Sequence, residues 1–420
     1  MFLSTSSGRG QRTERDTLDD VADAYVRLVL AVQRHNPNYL DAYFGPPDWR
    51  AEARRGRPRP VADLLALAQR LLEKVRAFPV SVRRDFLERQ LVAVESYGRI
   101  LSGEHLSWRQ TLRTILDAEP LRFRPDEVAS VRQRLGAILP GRGSISARLG
   151  RFLRYFEIPK ARLRAVVEAS AQVTRARAKA LFSLPSRESV RFRLVREKPW
   201  AAYTWYLGRG QSLIEINLDH RHHPQGLLDA IAHEAYPGHH TFHSVREHLL
   251  VRGRGWREHA ISPLMSPLSL ISEGAAYMAL DVIMKEQETR EFVREVVAPL
   301  AGVNKGDLEA YFAVNSARGF GEHQNAVIME AARRLHEDGA TSRQMVAFMT
   351  DCGFSRRLAY SVVRFAKTYN AYICSYRLGL HAVKSYLGRG PDRVARYRAL
   401  LCQPLTPSAL RAARALPPGD

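Results

Sequence analysis

The stretch DAIAHEAYPGHHTFH brings together residue types that bind metal ions. In zinc peptidases two histidines four residues apart share one face of a helix, and the glutamate after the first histidine acts as a base. His233 and Glu234 match the start of this pattern, but the fourth position is Pro237, and the next imidazoles are His239 and His240. The stretch is therefore either not a metal site or an interrupted helix that still delivers a second histidine.

The predicted helix that carries His233 and Glu234 has an apolar side that would bury them. Leu227, Leu228 and Ile231 form that side, and burying an ionised group without a partner is costly. A divalent metal removes this cost if the histidine binds it as a neutral imidazole and the glutamate holds a water whose pKa the metal lowers to about 7. The pair therefore indicates metal-assisted hydrolysis.

A catalytic zinc site needs a third protein ligand and an open fourth position. The downstream segment SPLSLISEGAAYMALDV places Glu273 among apolar residues of a predicted helix. One interpretation is a carboxylate at a helix edge with its head in water. The other, which we favour, is that Glu273 supplies the third metal ligand from a second helix.

HEAYPGHH, followed downstream by SEG on a predicted helix, resembles the motif of a bacterial family known as domain of unknown function 885, in the zincin metallopeptidase clan. The resemblance extends to AYVRLVLAVQRHNPNYLDAYFGPPDW near the N-terminus and to WYLGRGQSLIEIN before the motif, so it covers most of the chain. It implies a mainly helical, gluzincin-like fold around a cleft, with a short edge strand that holds an extended peptide.

The resemblance also implies a Zn²⁺ ion held by His233, a histidine of the Pro-Gly-His-His stretch and Glu273, with Glu234 as general base. Aligning the Gly-His of this motif with the Gly-His of ordinary zinc-peptidase helices selects His239 as the second ligand. His240 is the reserve ligand.

Zinc peptidases also need a group that stabilises the oxyanion of the tetrahedral intermediate. The late segment YNAYICSYRLGLH contains a Tyr-Arg-x-Gly sequence that resembles a Tyr-Lys-x-Gly element near the C-terminus of the family. Tyr376 and Arg377 are therefore candidate catalytic residues, and core packing of the tyrosines is the alternative. The sequence departs from the family at Ala275, where a tryptophan often follows the glycine.

Together these features predict a zinc-dependent hydrolase that cleaves peptide bonds. Two alternatives from other classes stay open, namely a catalytically inactive scaffold with a zincin fold and a basic nucleic-acid-binding protein. Within the enzymes, a hydrolase of amides other than peptides is also open, because the residues define the chemistry and not the acyl group. The sequence does not distinguish exopeptidases from endopeptidases.

The chain is strongly basic, with 64 Lys+Arg against 43 Asp+Glu and a formal net charge of +21. Such a charge favours anionic partners, but the arginines are dispersed along the chain, so we expect no specific nucleic-acid partner.

The three cysteines are widely separated, and no apolar run approaches the roughly 20 residues that span a bilayer. We expect a cytoplasmic protein without membrane association, and the oligomeric state is open.

Helical periodicity dominates the chain and predicts a mainly α fold. We expect a disordered segment at 1–15, a helical N-terminal subdomain at 16–185 and a catalytic zincin-like subdomain at 186–420. Alternating residues between Ser189 and Leu218, with a Gly-Arg-Gly turn, predict one small antiparallel sheet or hairpin beside the active-site helix. Helices are predicted near 61–77, 81–102, 124–138, 145–183, 225–236, 239–250, 264–287, 289–300, 306–337, 341–351 and 355–388.

Overall fold

The structure, a computed structural model, describes residues 17–319 and 321–415. Within these ranges the protein is mainly α-helical with two small β-sheets, which confirms the mainly α expectation. The segment 1–15, predicted to be disordered, lies outside the described residues.

The helices of the described ranges are α1 (Leu18–Val32), α2 (Pro47–Arg54), α3 (Val61–Arg76), α4 (Val82–Leu101), α5 (Trp108–Ile115), α6 (Pro125–Ile138), α7 (Ile145–Tyr155), α8 (Leu163–Leu181), α9 (Pro224–Glu234), α10 (His239–Arg246), α11 (Pro267–Ile283), α12 (Glu286–Phe292), α13 (Ala298–Ala301), α14 (Leu308–Arg318), α15 (Glu322–His336), α16 (Ser342–Asp351), α17 (Arg356–Tyr369), α18 (Ser375–Leu387), α19 (Arg393–Cys402) and α20 (Pro407–Ala415). The strands are β1 (Leu40–Tyr43), β2 (Ser189–Val195), β3 (Ala202–Gly208), β4 (Gln211–Asn217) and β5 (Ile261–Pro263).

The larger sheet contains the predicted hairpin but is mixed rather than antiparallel. Strands β3 and β4 are antiparallel, and Arg209 and Gly210 form the turn with φ of 57° and 69°. Strand β2 pairs with β4 in parallel, so the order is β2-β4-β3. The connection 196–201 therefore leads from β2 to the other edge of the sheet, where β3 lies, and β4 later fills the position between them. Alternation in the sequence predicts a strand but not its direction.

A second sheet, formed by β1 and β5, was not predicted. The two strands are antiparallel, and β5 has only three residues. Such a short strand carries no alternation pattern that sequence analysis can detect. The sheet matters for the site because it holds Asp41 next to β3.

Three predicted helices are each two helices in the structure. The segment 145–183 breaks after α7 near Pro159, and 306–337 breaks at Gly319, where φ is 57°. The segment 355–388 breaks at Asn370, where φ is 45°. Apolar periodicity resumes after each break because both halves face the same core, which hides the interruption in the sequence.

The largest hydrophobic cluster draws residues from both predicted subdomains. Val26 and Leu91 of the N-terminal part pack in the same cluster as Ile231 and Leu270 of the C-terminal part. The division at 185 and 186 stays a prediction.

By length and apolar composition no single helix of the described ranges would cross a membrane, although the bent pair Pro267–Ile283 and Glu286–Ala301 meets that test.

Helices α11 and α18 pack with their backbones in contact. A Cβ atom added to Gly274 would overlap the carbonyl oxygen of Gly379, and one added to Gly379 would overlap the carbonyl oxygen of Leu270. Glycine at both positions therefore permits the close approach. This contact lies next to Glu273, so it sets where α18 and the segment before it lie relative to that carboxylate.

Candidate metal centre

The helix break after Glu234 follows the Pro-Gly sequence. Helix α9 ends at Glu234 and α10 begins at His239. Between them the amide of Gly238 donates a hydrogen bond to the carbonyl oxygen of Ala232, at 3.0 Å. A Cβ atom on Gly238 would overlap the carbonyl oxygen of His233, so only glycine fits this turn. The break turns the chain back so that His239 faces His233.

His233, His239 and Glu273 converge in the cleft. One potential ligand atom from each lies within 4.8 Å of the other two. The Nε2 atom of His233 lies 3.6 Å from Oε2 of Glu273, and Nε2 of His239 lies 3.7 Å from Oε1. The two imidazole rings are edge-to-face, with centroids 4.7 Å apart. The structure thus brings together the three residues that the sequence predicted as ligands.

His240 points away from this cluster. Its Nδ1 lies 2.8 Å from Oγ of Ser212 and its Nε2 lies 2.9 Å from Oε2 of Glu188. Glu188 also accepts a hydrogen bond from the hydroxyl of Tyr236 at 2.5 Å. Consecutive residues of a helix point about 100° apart, so a chain that turns His239 toward the cleft buries His240 behind it. The reserve ligand is therefore not part of the cluster.

Glu273 has an oxygen atom that lacks a partner. Its Oε1 accepts a hydrogen bond from the hydroxyl of Tyr372 at 2.7 Å, whereas the buried Oε2 has no hydrogen-bond partner in the described structure. Burial raises the pKa of this carboxyl to about 8. Buried polar atoms without partners are rare in proteins. A cation bound between the three side chains would satisfy Oε2 and stabilise the ionised form.

The two histidines are in the form that binds metal ions. Burial lowers the pKa of His233 well below its usual value and that of His239 to about 4, so both are neutral near pH 7. The Nδ1 atom of His239 lies 3.1 Å from Oγ of Ser272, which leaves Nε2 for the cluster. Two imidazole nitrogens, one carboxylate oxygen and open positions are the donor set of a catalytic zinc site, and these residues fit it.

Glu234 lies beside the cluster and is held by Thr204. The Thr204 hydroxyl lies 2.6 Å from Oε2 of Glu234. Burial raises the pKa of Glu234 to about 7; the hydrogen bond from Thr204 opposes this rise and the charge of Asp41 adds to it. A carboxylate with a pKa near neutrality is suited to take up and release a proton in a reaction near pH 7.

The cluster lines a cleft of about 1420 Å³, which β3 also borders. A tyrosine group forms part of its wall: Tyr277, Tyr369, Tyr372 and Tyr376. Arg377 is not among the described residues that line the cleft. It follows Tyr376 on α18, and consecutive residues of a helix point about 100° apart. Of the two predicted oxyanion candidates, the structure places Tyr376 in the cleft and Arg377 outside it.

The contacts of three residues of the site were not predicted from the sequence. Thr204, Ser272 and Tyr372 each contact one of the predicted residues. Tyr372 belongs to the tyrosine-rich segment YNAYICSYRLGLH, which the sequence indicated as part of the site, but its contact with Glu273 was not predicted. Thr204 and Ser272 are small polar residues with no spacing pattern, and only the fold shows their partners.

No family model matches the chain, and no curated protein is significantly similar to it. Solved structures also match the chain, with different degrees of similarity. "The crystal structure of the putative lipoprotein from Colwellia psychrerythraea" has a TM-score of 0.54 at 15% identity and covers 95% of this chain and 76% of that one. "The structure of a putative lipoprotein of unknown function from Shewanella oneidensis" has a TM-score of 0.48 at 15% identity, with 93% and 82% covered.

The third similar structure, described as "BsuCP Crystal Structure", has a TM-score of 0.40 at 10% identity and covers 92% of this chain and 88% of that one. Of these three, the Colwellia structure has a TM-score high enough to support a shared fold. At 15% identity that likeness concerns the fold alone. The chain therefore shares its mainly helical architecture with a protein whose description names no reaction.

Proposed function

We propose that this protein is a zinc-dependent hydrolase of the zincin type that cleaves peptide bonds, related to the family known as domain of unknown function 885. The observation that carries the proposal is the convergence of His233, His239 and Glu273 beside Glu234 in one cleft. The unpartnered Oε2 of Glu273 supports a cation at this point. The cleft also has room for a peptide of several residues.

Zinc held by the three ligands would supply Lewis acidity, which polarises a carbonyl group and acidifies water. Glu234 takes the proton of the attacking water and later passes it to the leaving amine. Thr204 holds the carboxylate of Glu234 in place for both transfers, and Tyr372 holds that of Glu273. Tyr376 is the candidate donor to the oxyanion, because its side chain lines the same cleft.

The Glu234→Gln variant tests this assignment. The amide cannot accept the proton of water, so we expect hydrolysis of a mixed peptide library to fall by about 10²- to 10⁴-fold. Zinc content should stay the same, because Glu234 is not one of the ligands. Zinc per chain and the hydrolysis rate are measured on the same preparation.

Glu322→Gln is the matched control. Glu322 also lines the cleft, but its carboxylate is paired with Lys384. This variant should hydrolyse the library at the wild-type rate. If Glu234→Gln lost its zinc, Glu234 would be a ligand and its assignment as base would be wrong. A wild-type protein that binds no zinc would instead favour the scaffold alternative.

A further inference from the structure

Asp41 is a further carboxylate in the cleft, and the proposed reaction does not use it. It lies on β1, its side chain is 25% exposed, and it lines the cleft together with Glu234 and Glu273. Tyr203 donates a hydrogen bond to its Oδ1. In the described ranges no hydrogen bond reaches Oδ2. One oxygen of this carboxylate is therefore left for a donor from outside the protein.

Asp41 also lacks a positively charged partner. His243 approaches it, but its Nε2 lies 3.8 Å from Oδ2, beyond hydrogen-bond distance. Burial lowers the pKa of His243 to about 3, so its ring is neutral. Among the residues that the structure describes, no lysine or arginine forms an ion pair with Asp41. A divalent cation at the metal centre balances the charges of Glu234 and Glu273 and leaves the charge of Asp41 without an ion-pair partner.

The fold fixes Asp41 next to the reaction site. Tyr203, which binds Asp41, is followed directly on β3 by Thr204, which binds Glu234. Successive side chains of a strand point to opposite faces, but both carboxylates line the same cleft. His243, whose Nε2 lies 3.8 Å from Oδ2 of Asp41, comes about one helical turn after the candidate ligand His239 on α10. Any group that Asp41 binds lies close to the bond that Glu234 helps to break.

We propose that Asp41 binds a protonated primary amine of the substrate, either the α-ammonium group of its first residue or the ε-ammonium group of a lysine. The inference rests on the proposed hydrolase function and narrows its substrate class to peptides with a positive charge beside the scissile bond. An ammonium group supplies both the missing donor and the missing charge. In an N-terminal residue only Cα separates the α-nitrogen from the scissile carbonyl carbon, so a carboxylate in the same cleft as the metal centre is suited to bind it.

A second metal ion fits the site less well than an ammonium group. Within the described residues only Asp41 and His243 offer ligand atoms at this point. Catalytic zinc sites use three protein ligands. An ammonium group needs no such set, since a carboxylate oxygen and water satisfy its three donors.

The test compares the binding of three peptides to zinc-loaded protein in the non-hydrolysing Glu234→Gln background. Ala-Ala-Phe amide carries only an α-ammonium group, acetyl-Ala-Lys-Phe amide carries only a lysine ammonium group, and acetyl-Ala-Ala-Phe amide carries neither. Dissociation constants are measured by calorimetry with and without Asp41→Asn. We expect the substitution to raise the dissociation constant of one charged peptide by about 10- to 100-fold, because a charge-assisted hydrogen bond is lost. Binding of the neutral peptide should not change.

The charged peptide that loses affinity identifies the source of the ammonium group. Asp281→Asn is the matched control: Asp281 also lines the cleft but is paired with Arg393, so its substitution should change none of the three affinities. Tyr203→Phe, which removes only the hydrogen bond to Asp41, should weaken the binding of the same peptide to a smaller extent. This variant keeps the test decisive if Asp41→Asn folds poorly.

Three results would overturn the proposal. The wild-type site could bind charged and neutral peptides with equal affinity, Asp41→Asn could leave all affinities unchanged, or it could lower the affinity for all three peptides equally. These outcomes are separate from failure of the proposed function. A protein that binds no zinc contradicts the hydrolase assignment, whereas the dependence of peptide affinity on Asp41 is read without turnover.

Discussion

The candidate metal ligands are held by side chains that are not themselves candidate ligands. Tyr372 donates to Glu273, and Ser272 contacts the far nitrogen of His239. Such contacts fix the orientation of a ligand, and their loss typically reduces metal affinity or activity by about 10- to 100-fold. The geometry of the site therefore depends on residues beyond the three ligands.

Tyr372→Phe removes the hydrogen bond to Oε1 of Glu273 while keeping the ring. We expect the zinc dissociation constant to rise by about 10- to 100-fold, measured by competition with a chelator. Tyr25→Phe, which removes a buried hydroxyl that donates to Gln90, is the control and should leave zinc affinity unchanged. Wild-type zinc affinity in Tyr372→Phe would show that this tyrosine does not position the ligand.

Among the individual residues of the site, the sequence predicted the three that converge but not the residues that hold them. The Gly-His alignment distinguished His239 from His240 because the helix period separates adjacent side chains. Asp41 and Thr204 could not be found in the same way, since each acts on a residue far away in the chain. Their contacts exist only once β1 and β3 are placed beside α9.

Among the elements, α11 and α18 carry the most demanding contact. A Cβ atom on Gly274 would overlap the backbone of Gly379, and backbone cannot move as freely as a side chain. We expect Gly274→Ala to destabilise the protein by about 1–3 kcal/mol or more, as overpacking does. Because Glu273 precedes this glycine, zinc affinity should fall as well. Urea denaturation and chelator competition measure the two effects.

Gly150→Ala is the control for the α11–α18 contact. Gly150 lies within α7, where an added Cβ atom meets nothing within 4 Å. Alanine is favoured over glycine inside a helix by about 0.5–1 kcal/mol, so this variant should be as stable as the wild type or more so. Equal stabilities of the Gly274→Ala and Gly150→Ala variants would contradict the close-packing account.

The sequence predicted the elements better than their arrangement. Helices such as α3 and α4 were found within one or two residues of their ends, because their apolar faces repeat at the helical period. The parallel pairing of β2 with β4 and the sheet of β1 with β5 were missed. Pairing direction and contacts between distant strands depend on tertiary packing, which local periodicity does not record.

The whole molecule carries a formal net charge of +21, and the sequence spreads the basic residues along the chain. A diffuse charge attracts nucleic acid without reading its sequence. We expect duplex DNA to bind with a dissociation constant of about 10⁻⁶ M or weaker at physiological salt, measured by fluorescence anisotropy on two unrelated duplexes. Nanomolar binding that prefers one sequence would instead favour the nucleic-acid-binding alternative.

The cleft is built from both ends of the chain. Asp41 comes from the N-terminal part, and Tyr372 and Tyr376 come from the C-terminal part. The largest hydrophobic cluster likewise includes residues from both parts. We therefore expect the N-terminal helices to be needed for the site and not only for the stability of the fold.

The measurement that tests the central claim most directly is an anomalous difference map, recorded at the zinc absorption edge from crystals grown with added zinc. The account predicts one strong peak in the cleft, about 2.0–2.1 Å from the Nε2 atoms of His233 and His239 and bound also by Glu273. A map with no peak between these three residues, or with zinc bound by His240 instead, would contradict it.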